Sequence, residues 1–414
     1  MIGRTDQNSV VRRGSKSLLK SLLLTFLFLT ALIYFRQTGA LSIKANSQSA
    51  AATSLYLPLI FTDWPIPQAV ATMALPDALC PNVVGVNPVS GFAFVGHHQS
   101  DNVSILSETQ HVTTAPTGEW PTDIDANTGS NITYITHHHG STIAFQGSAT
   151  QASLPAKLEP FAVAYNSFNN YVYVTDPHLS EVRIFQNNSI VTDVVVNDGS
   201  LLDVAVHPHT GLTYVTGWEH GNIYVLDGAG IVTSFSAGGW GPRRIAIDPT
   251  SGYVYVANSE VYVAPTDQLR NNVTVIDGTQ VVATYATSNG SYDVAVDPVS
   301  GYAYFANHLD NTITILRGKE LVGTVPAGEI PWAVDVHARS GFAFVTNRDS
   351  NSVTVLRGGQ IVTTLPTGEQ PFDVAVNPVT DYVYIANRTS QIVCDDLDRC
   401  EEVCAASPTV TILR

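Results

Sequence analysis

Charge is what this 414-residue chain has least of: only 13% of it is Asp, Glu, Lys or Arg. Basic side chains are the scarcest. Residues 1–50 hold seven of the 20 Lys and Arg and only one of the 35 acidic residues, Asp6. The rest of the chain therefore carries 13 basic and 34 acidic residues, a formal −21. A field of that sign repels phosphate backbones and argues against sequence-independent nucleic-acid binding. Catalytic signatures are missing as well: no Gly-x-Ser-x-Gly elbow, HExxH, P-loop or dinucleotide fingerprint occurs. No amphipathic helix of useful length follows residue 36, which leaves strands to build the fold. Only four cysteines occur, and none form the Cys-x2-Cys pair of zinc ribbons.

What the chain has is repetition. YVAN at 255–258, YFAN at 304–307, FVTN at 344–347 and YIAN at 384–387 recur with a period near 40–50 residues. Degenerate copies are FVGH at 94–97, YITH at 134–137, YVTD at 173–176 and YVTG at 214–217. Each unit reads as four short strands rich in Val, Ile, Thr and Tyr, separated by Gly and Pro. The turn after the first strand is Asn87-Pro88-Val89-Ser90-Gly91 or a relative of it, with Pro presetting φ and Gly supplying a left-handed residue. Such a unit is the blade of a β-propeller.

The array's ends argue for a closed ring. The eighth unit stops after three strands, at TVTIL (409–413), while AVATMALPDALCP (69–81) matches a fourth strand with no unit before it. An all-β, eight-bladed propeller closed by residues 69–76 follows, with seven blades as the alternative. These segments resemble the YVTN β-propeller repeat of extracytoplasmic and surface-layer proteins, over roughly residues 69–414. The resemblance implies a fold and an exported location. Propellers host unrelated activities, so it implies no particular chemistry.

Residues 1–39 fit that location. A basic stretch precedes the apolar run SLLLTFLFLTALIYF at 21–35, which reads as a secretory signal peptide or a retained membrane anchor. Residues 40–67 read as a tether and 68–414 as the propeller. The cysteines suit an oxidising compartment. Cys80 precedes the first blade, and Cys394, Cys400 and Cys404 fall in an insertion of the last, so disulfides near the ring closure are expected in one of three pairings.

Loops after second strands share a face with loops entering first strands, and unusual residues gather there. His97, His137 and Asp176 occupy one column of three consecutive blades and could share a divalent metal ion. The alternative is that this column only satisfies strand ends. A second column, at the third position of the first strands, reads Val83, Asp123, Ala162, Asp203, Arg244, Asp293, Ala333, Asp373. Its carboxylates either ring a cation or accept backbone N–H groups and tie neighbouring blades. Aromatics near the mouth include Tyr292 and Trp332, with Trp120, Trp218 and Trp240 in approaching loops; Phe161 and Phe372 are expected between blades. Trp218, beside His220, is the leading recognition residue.

A non-enzymatic binding or surface scaffold is therefore expected, monomeric, without a cofactor, meeting a protein, peptide or glycan at the cell envelope. The alternatives are a metal-dependent lyase or hydrolase at the histidine-rich face, and a purely structural envelope protein.

Overall fold

The computed structural model describes residues 64–414 except 157, 260–270, 288–289, 395–399 and 405–407, with backbone alone at 391–394 and 400–403. The signal or anchor segment, and the tether up to residue 63, lie outside the described residues. The described part consists of eight four-stranded antiparallel sheets arranged as the blades of an eight-bladed β-propeller, plus a two-stranded hairpin, Ser390–Cys394 with Cys400–Cys404. No helix occurs among the described residues.

Ring closure is as the orphan strand requires. Ala69–Ala74 pairs antiparallel with Thr409–Leu413 and supplies the fourth strand of blade 8. Gln68 and Arg414 exchange backbone hydrogen bonds of 3.1 and 3.0 Å at the end of that seam. The core lies between blades. Tyr384, Ala386, Val410 and Ile412 of blade 8 pack on Val84, Ala93, Val95 and Leu106 of blade 1. Equivalent clusters join the other neighbours, so each sheet buries its faces against the next and no central core is needed.

The repeated YVTN-like segment has a physical meaning residue by residue. Its tyrosine reaches the next blade: the hydroxyls of Tyr173, Tyr214 and Tyr255 each donate to a hairpin glycine carbonyl there, Gly228, Gly278 and Gly318, at 2.9 Å. Its asparagine links the second strand to the third within the blade. Asn258, Asn307, Asn347 and Asn387 donate through Nδ2 to Thr274, Thr314, Thr354 and Thr411 at 2.8–3.0 Å. The Asn-Pro-x-Ser-Gly turn is held by Asn87, whose Oδ1 accepts from Val89 N–H at 2.9 Å, while Gly91 adopts φ +73°. Asn377 reuses this turn to close the ring, donating to the Gly91 carbonyl at 2.8 Å.

One irregularity positions the site. The innermost strands carry a register shift near their start, between Pro81 and Val83, Pro121 and Asp123, Pro242 and Arg244, Ser291 and Asp293, and Pro371 and Asp373. A bulge breaks the in–out alternation, so two consecutive side chains can face the same way. Both columns, such as Tyr292 with Asp293 and Phe372 with Asp373, consequently line the central channel.

Candidate binding site at the channel mouth

The channel encloses about 730 Å³, a volume suited to a small ligand. The bulged residues wall it in two tiers. Uppermost are Asn82, Thr122, Phe161, Arg243, Tyr292, Trp332 and Phe372; beneath stand Asp123, Asp203, Arg244, Asp293 and Asp373.

The carboxylates tie blades together. Asp123, Asp203, Asp293 and Asp373 each accept, through Oδ2, a backbone N–H of the following blade: Val163, Ile245, Val334 and Val84, at 2.7–2.9 Å. A deeper pair repeats the device, Asp125 to Tyr165 N–H and Asp335 to Val376 N–H, each 2.7 Å. Burial pushes Asp203, Asp335 and Asp373 up to about 7 and Asp125 to about 6. Burial also raises Asp123 and Asp293, with Arg244 pulling against it. For Arg244 itself burial acts downward, but the surrounding carboxylates outweigh it and keep the guanidinium charged. Asp203 is its ion-pair partner, at 3.4 Å.

Above the carboxylates runs an aromatic arc across blades 6 to 8. Tyr292 and Trp332 have centroids 4.3 Å apart, and Trp332 and Phe372 are 4.6 Å apart. His308 packs at 5.0 Å from both Tyr292 and Trp332. Arginines cover these rings: Arg243 lies 3.6 Å from the Tyr292 centroid, Arg348 5.0 Å from Trp332 and Arg388 4.7 Å from Phe372. Phe372 is thus a half-buried channel residue, turned inward by its bulge, whereas Phe161 both lines the channel and packs against the core between blades 3 and 4, as expected of it.

Of the recognition candidates, Tyr292, Trp332 and Arg244 meet in this channel. Trp218 and Trp240 lie elsewhere on the loops of blades 4 and 5. Trp218 is half-buried and donates to the Ser259 carbonyl at 3.4 Å; Trp240 is 41% exposed. His220 stands mostly exposed against the buried Asp198, Nδ1 to Oδ1 3.1 Å. Trp120 packs instead on a histidine cluster, 4.3 Å from His98, 5.2 Å from His138 and 5.6 Å from His139.

His97, His137 and Asp176 are not brought to a common point. Each is fully or almost fully buried and satisfies its own strand end. His97 Nε2 shares a hydrogen bond with Ser104 at 2.9 Å, standing in for the Asn-to-Thr link of other blades. His137 Nδ1 bonds the Ser141 carbonyl at 2.7 Å, and Asp176 accepts from His178 and Leu179 N–H. Burial lowers His97 to about 3 and His137 to about 4, so both are neutral. The carboxyl and imidazole groups that do converge, among the described residues, are His138, His139 and Glu159.

Several site residues escaped the sequence reading. Arg243, Arg348 and Arg388 carry no motif; only an alignment of the repeats would set Arg243 in the mouth column. Cys80 pairs with Cys404, Cα–Cα 5.5 Å, so the insertion of blade 8 is fastened to the entry of blade 1. Four non-glycine residues directly before the proline of an inner strand, Cys80, Trp120, Ile330 and Gln370, hold φ of 50–54°, a left-handed conformation.

The family Lactonase, 7-bladed beta-propeller, matches residues 231–366, under half of the chain. No curated protein matches. Among solved structures, the hydrazine synthase of Kuenenia stuttgartiensis is similar at 15% identity and TM-score 0.52, over 80% of this chain and 97% of that one. The family match spans only part of the ring, so the number of blades rests on the sheets themselves. What the chain shares with these proteins is the β-propeller fold.

Proposed function

We propose that this chain is an exported binding propeller that takes a carboxylate-bearing glycan at the channel mouth. The observation that carries the reading is the arginine-covered arc Tyr292–Trp332–Phe372. Four of the 13 basic residues outside residues 1–50, namely Arg243, Arg244, Arg348 and Arg388, gather here on a body of formal charge −21. A local cationic edge on an acidic protein selects for a ligand whose charge is confined to one group. Guanidinium groups fit carboxylates in two-point hydrogen bonds, and flat rings offer apolar faces to a sugar ring. The carboxyls beneath are held by backbone N–H groups, and their raised pKa lessens repulsion of an anion near neutral pH. The YVTN-like repeats favour an envelope or surface location.

Titration calorimetry of the protein with acidic and neutral oligosaccharides tests this. Binding of carboxylated sugars, lost in Trp332→Ala and weakened at least about tenfold in Arg348→Ala, is expected. Equal binding of neutral sugars, or full affinity in both variants, would refute it.

A second reading, hydrolysis of a lactone at the same mouth, is favoured by the family match and by Asp203 and Asp373, carboxyls near 7 in the field of Arg244. Such a carboxylate could act as general base toward water while an arginine steadies the carbonyl oxygen. Acid release from a lactone panel, abolished in Asp203→Asn, would support it; no turnover with any lactone would remove it.

A further inference from the structure

Blade 2 departs from the repeat above its loop face. Its first two strands, Glu119–Asn127 and Ile132–His139, are nine and eight residues long, longer than any other first or second strand described. The extra length pairs Glu119 with His139 and lifts His138 and His139 beyond the end reached by the other blades. The entry loop of blade 3 brings Glu159 against them, and the turn after its second strand brings His178.

We infer that His138, His139 and Glu159, with His178 against the same carboxylate, form a binding site for a divalent transition ion of the zinc type. The ligand atoms of His138, His139 and Glu159 lie within 4.8 Å of one another. Glu159 Oε2 is 3.2 Å from His138 Nε2 and 2.7 Å from His178 Nε2; Oε1 is 3.8 Å from His139 Nδ1. Two ligands on a tetrahedral zinc stand about 3.3 Å apart, from bond lengths of about 2.0–2.1 Å. Glu159 Oε2 is enclosed yet accepts no hydrogen bond, although two imidazole nitrogens are that close. An ion placed among these atoms would take up the lone pair that this oxygen leaves unused. A divalent ion uses imidazole lone pairs and carboxylate together, and two imidazoles with one carboxylate suit zinc and its neighbours over calcium or magnesium. Trp120 walls the imidazoles on one side, while His139 and His178 are about half exposed and leave solvent access.

The site lies apart from the channel arc, so the glycan reading can fail without it. The test uses the full chain, purified without a histidine tag, stripped with chelator and titrated with zinc alone, then with cobalt(II) alone as a visible-spectrum probe. One equivalent of zinc is expected, with a cobalt absorption of low coordination number. Stoichiometric binding should vanish in His138→Ala and in Glu159→Gln, with unchanged circular dichroism, and weaken about 10- to 100-fold in His178→Ala. The conservative Glu159→Gln change keeps the shape, so its loss of metal separates coordination from folding. No uptake of zinc or cobalt by the wild-type chain, or equal uptake by these variants, overturns the inference.

Discussion

Asp373, in the last blade, accepts the backbone N–H of Val84, in the first, at 2.8 Å across 289 positions of sequence. The same junction is closed on the turn face by Asn377 and Gly91, on the outer edge by Ala69–Ala74, and on the loop face by Cys80–Cys404. Four independent fasteners meet where a ring of repeats has its one break in covalent continuity.

Replacing Asp373 with Ala removes the acceptor of the Val84 N–H in the channel wall. An unsatisfied buried donor costs about 1–3 kcal/mol. Urea unfolding should show a lower midpoint by that amount. A variant as stable as the parent would show that the carboxylate is no fastener.

The disulfide closes a span of 324 residues. Its removal in Cys80→Ser should cost about 2–5 kcal/mol. The backbone register sets Cys394 directly opposite Cys400 in the insertion hairpin. Peptide mapping of non-reduced protein should therefore recover Cys80 linked to Cys404 and Cys394 linked to Cys400. Any crossed pairing contradicts this arrangement.

Stability should carry the mark of the carboxyls that tie the blades together. Burial raises Asp335 from 3.8 to about 7, so the folded state favours its protonated form. The stability this gives is present below 3.8 and is lost as pH rises through about 7. Relative to wild type, Asp335→Asn should therefore gain stability steadily between these values. A difference independent of pH would show that Asp335 is not shifted.

His97 fills the place that Asn occupies in later blades. If its role is the link to Ser104, His97→Asn should fold with wild-type stability, while His97→Ala loses about 1 kcal/mol or more. Thermal melts of the two variants decide. Equal loss in both would mean that the ring contributes by packing volume.

The blade, the turn and the ring closure were legible because each is written in local chemistry. Alternation along Asn272–Asp277 or Ser352–Arg357 marks a strand, Asn87-Pro88 with Gly91 marks a turn, and an unmatched strand at each end marks a circle. The Asp column was likewise visible, and its role in tying blades was one of the two readings open. Partnership was not visible. The metal-type cluster lies one and two residues beyond His137, since the column residues His97, His137 and Asp176 point into the blade to finish strand ends. Glu159 joins it because it stands directly before Pro160, at the position Trp120 holds before Pro121 in blade 2. The bulges that turn Tyr292 with Asp293, and Phe372 with Asp373, into one channel are register effects between two strands. Sequence by itself determined the repeating unit and the means of closure, because those follow from backbone hydrogen bonding and period-two burial, while the choice of eight blades over seven came from the sheets. Tertiary structure alone decided which cysteine Cys80 meets, which arginine covers which ring, and which histidines share Glu159. Such contacts depend on how neighbouring blades are set against one another, and no residue carries that geometry in its own identity.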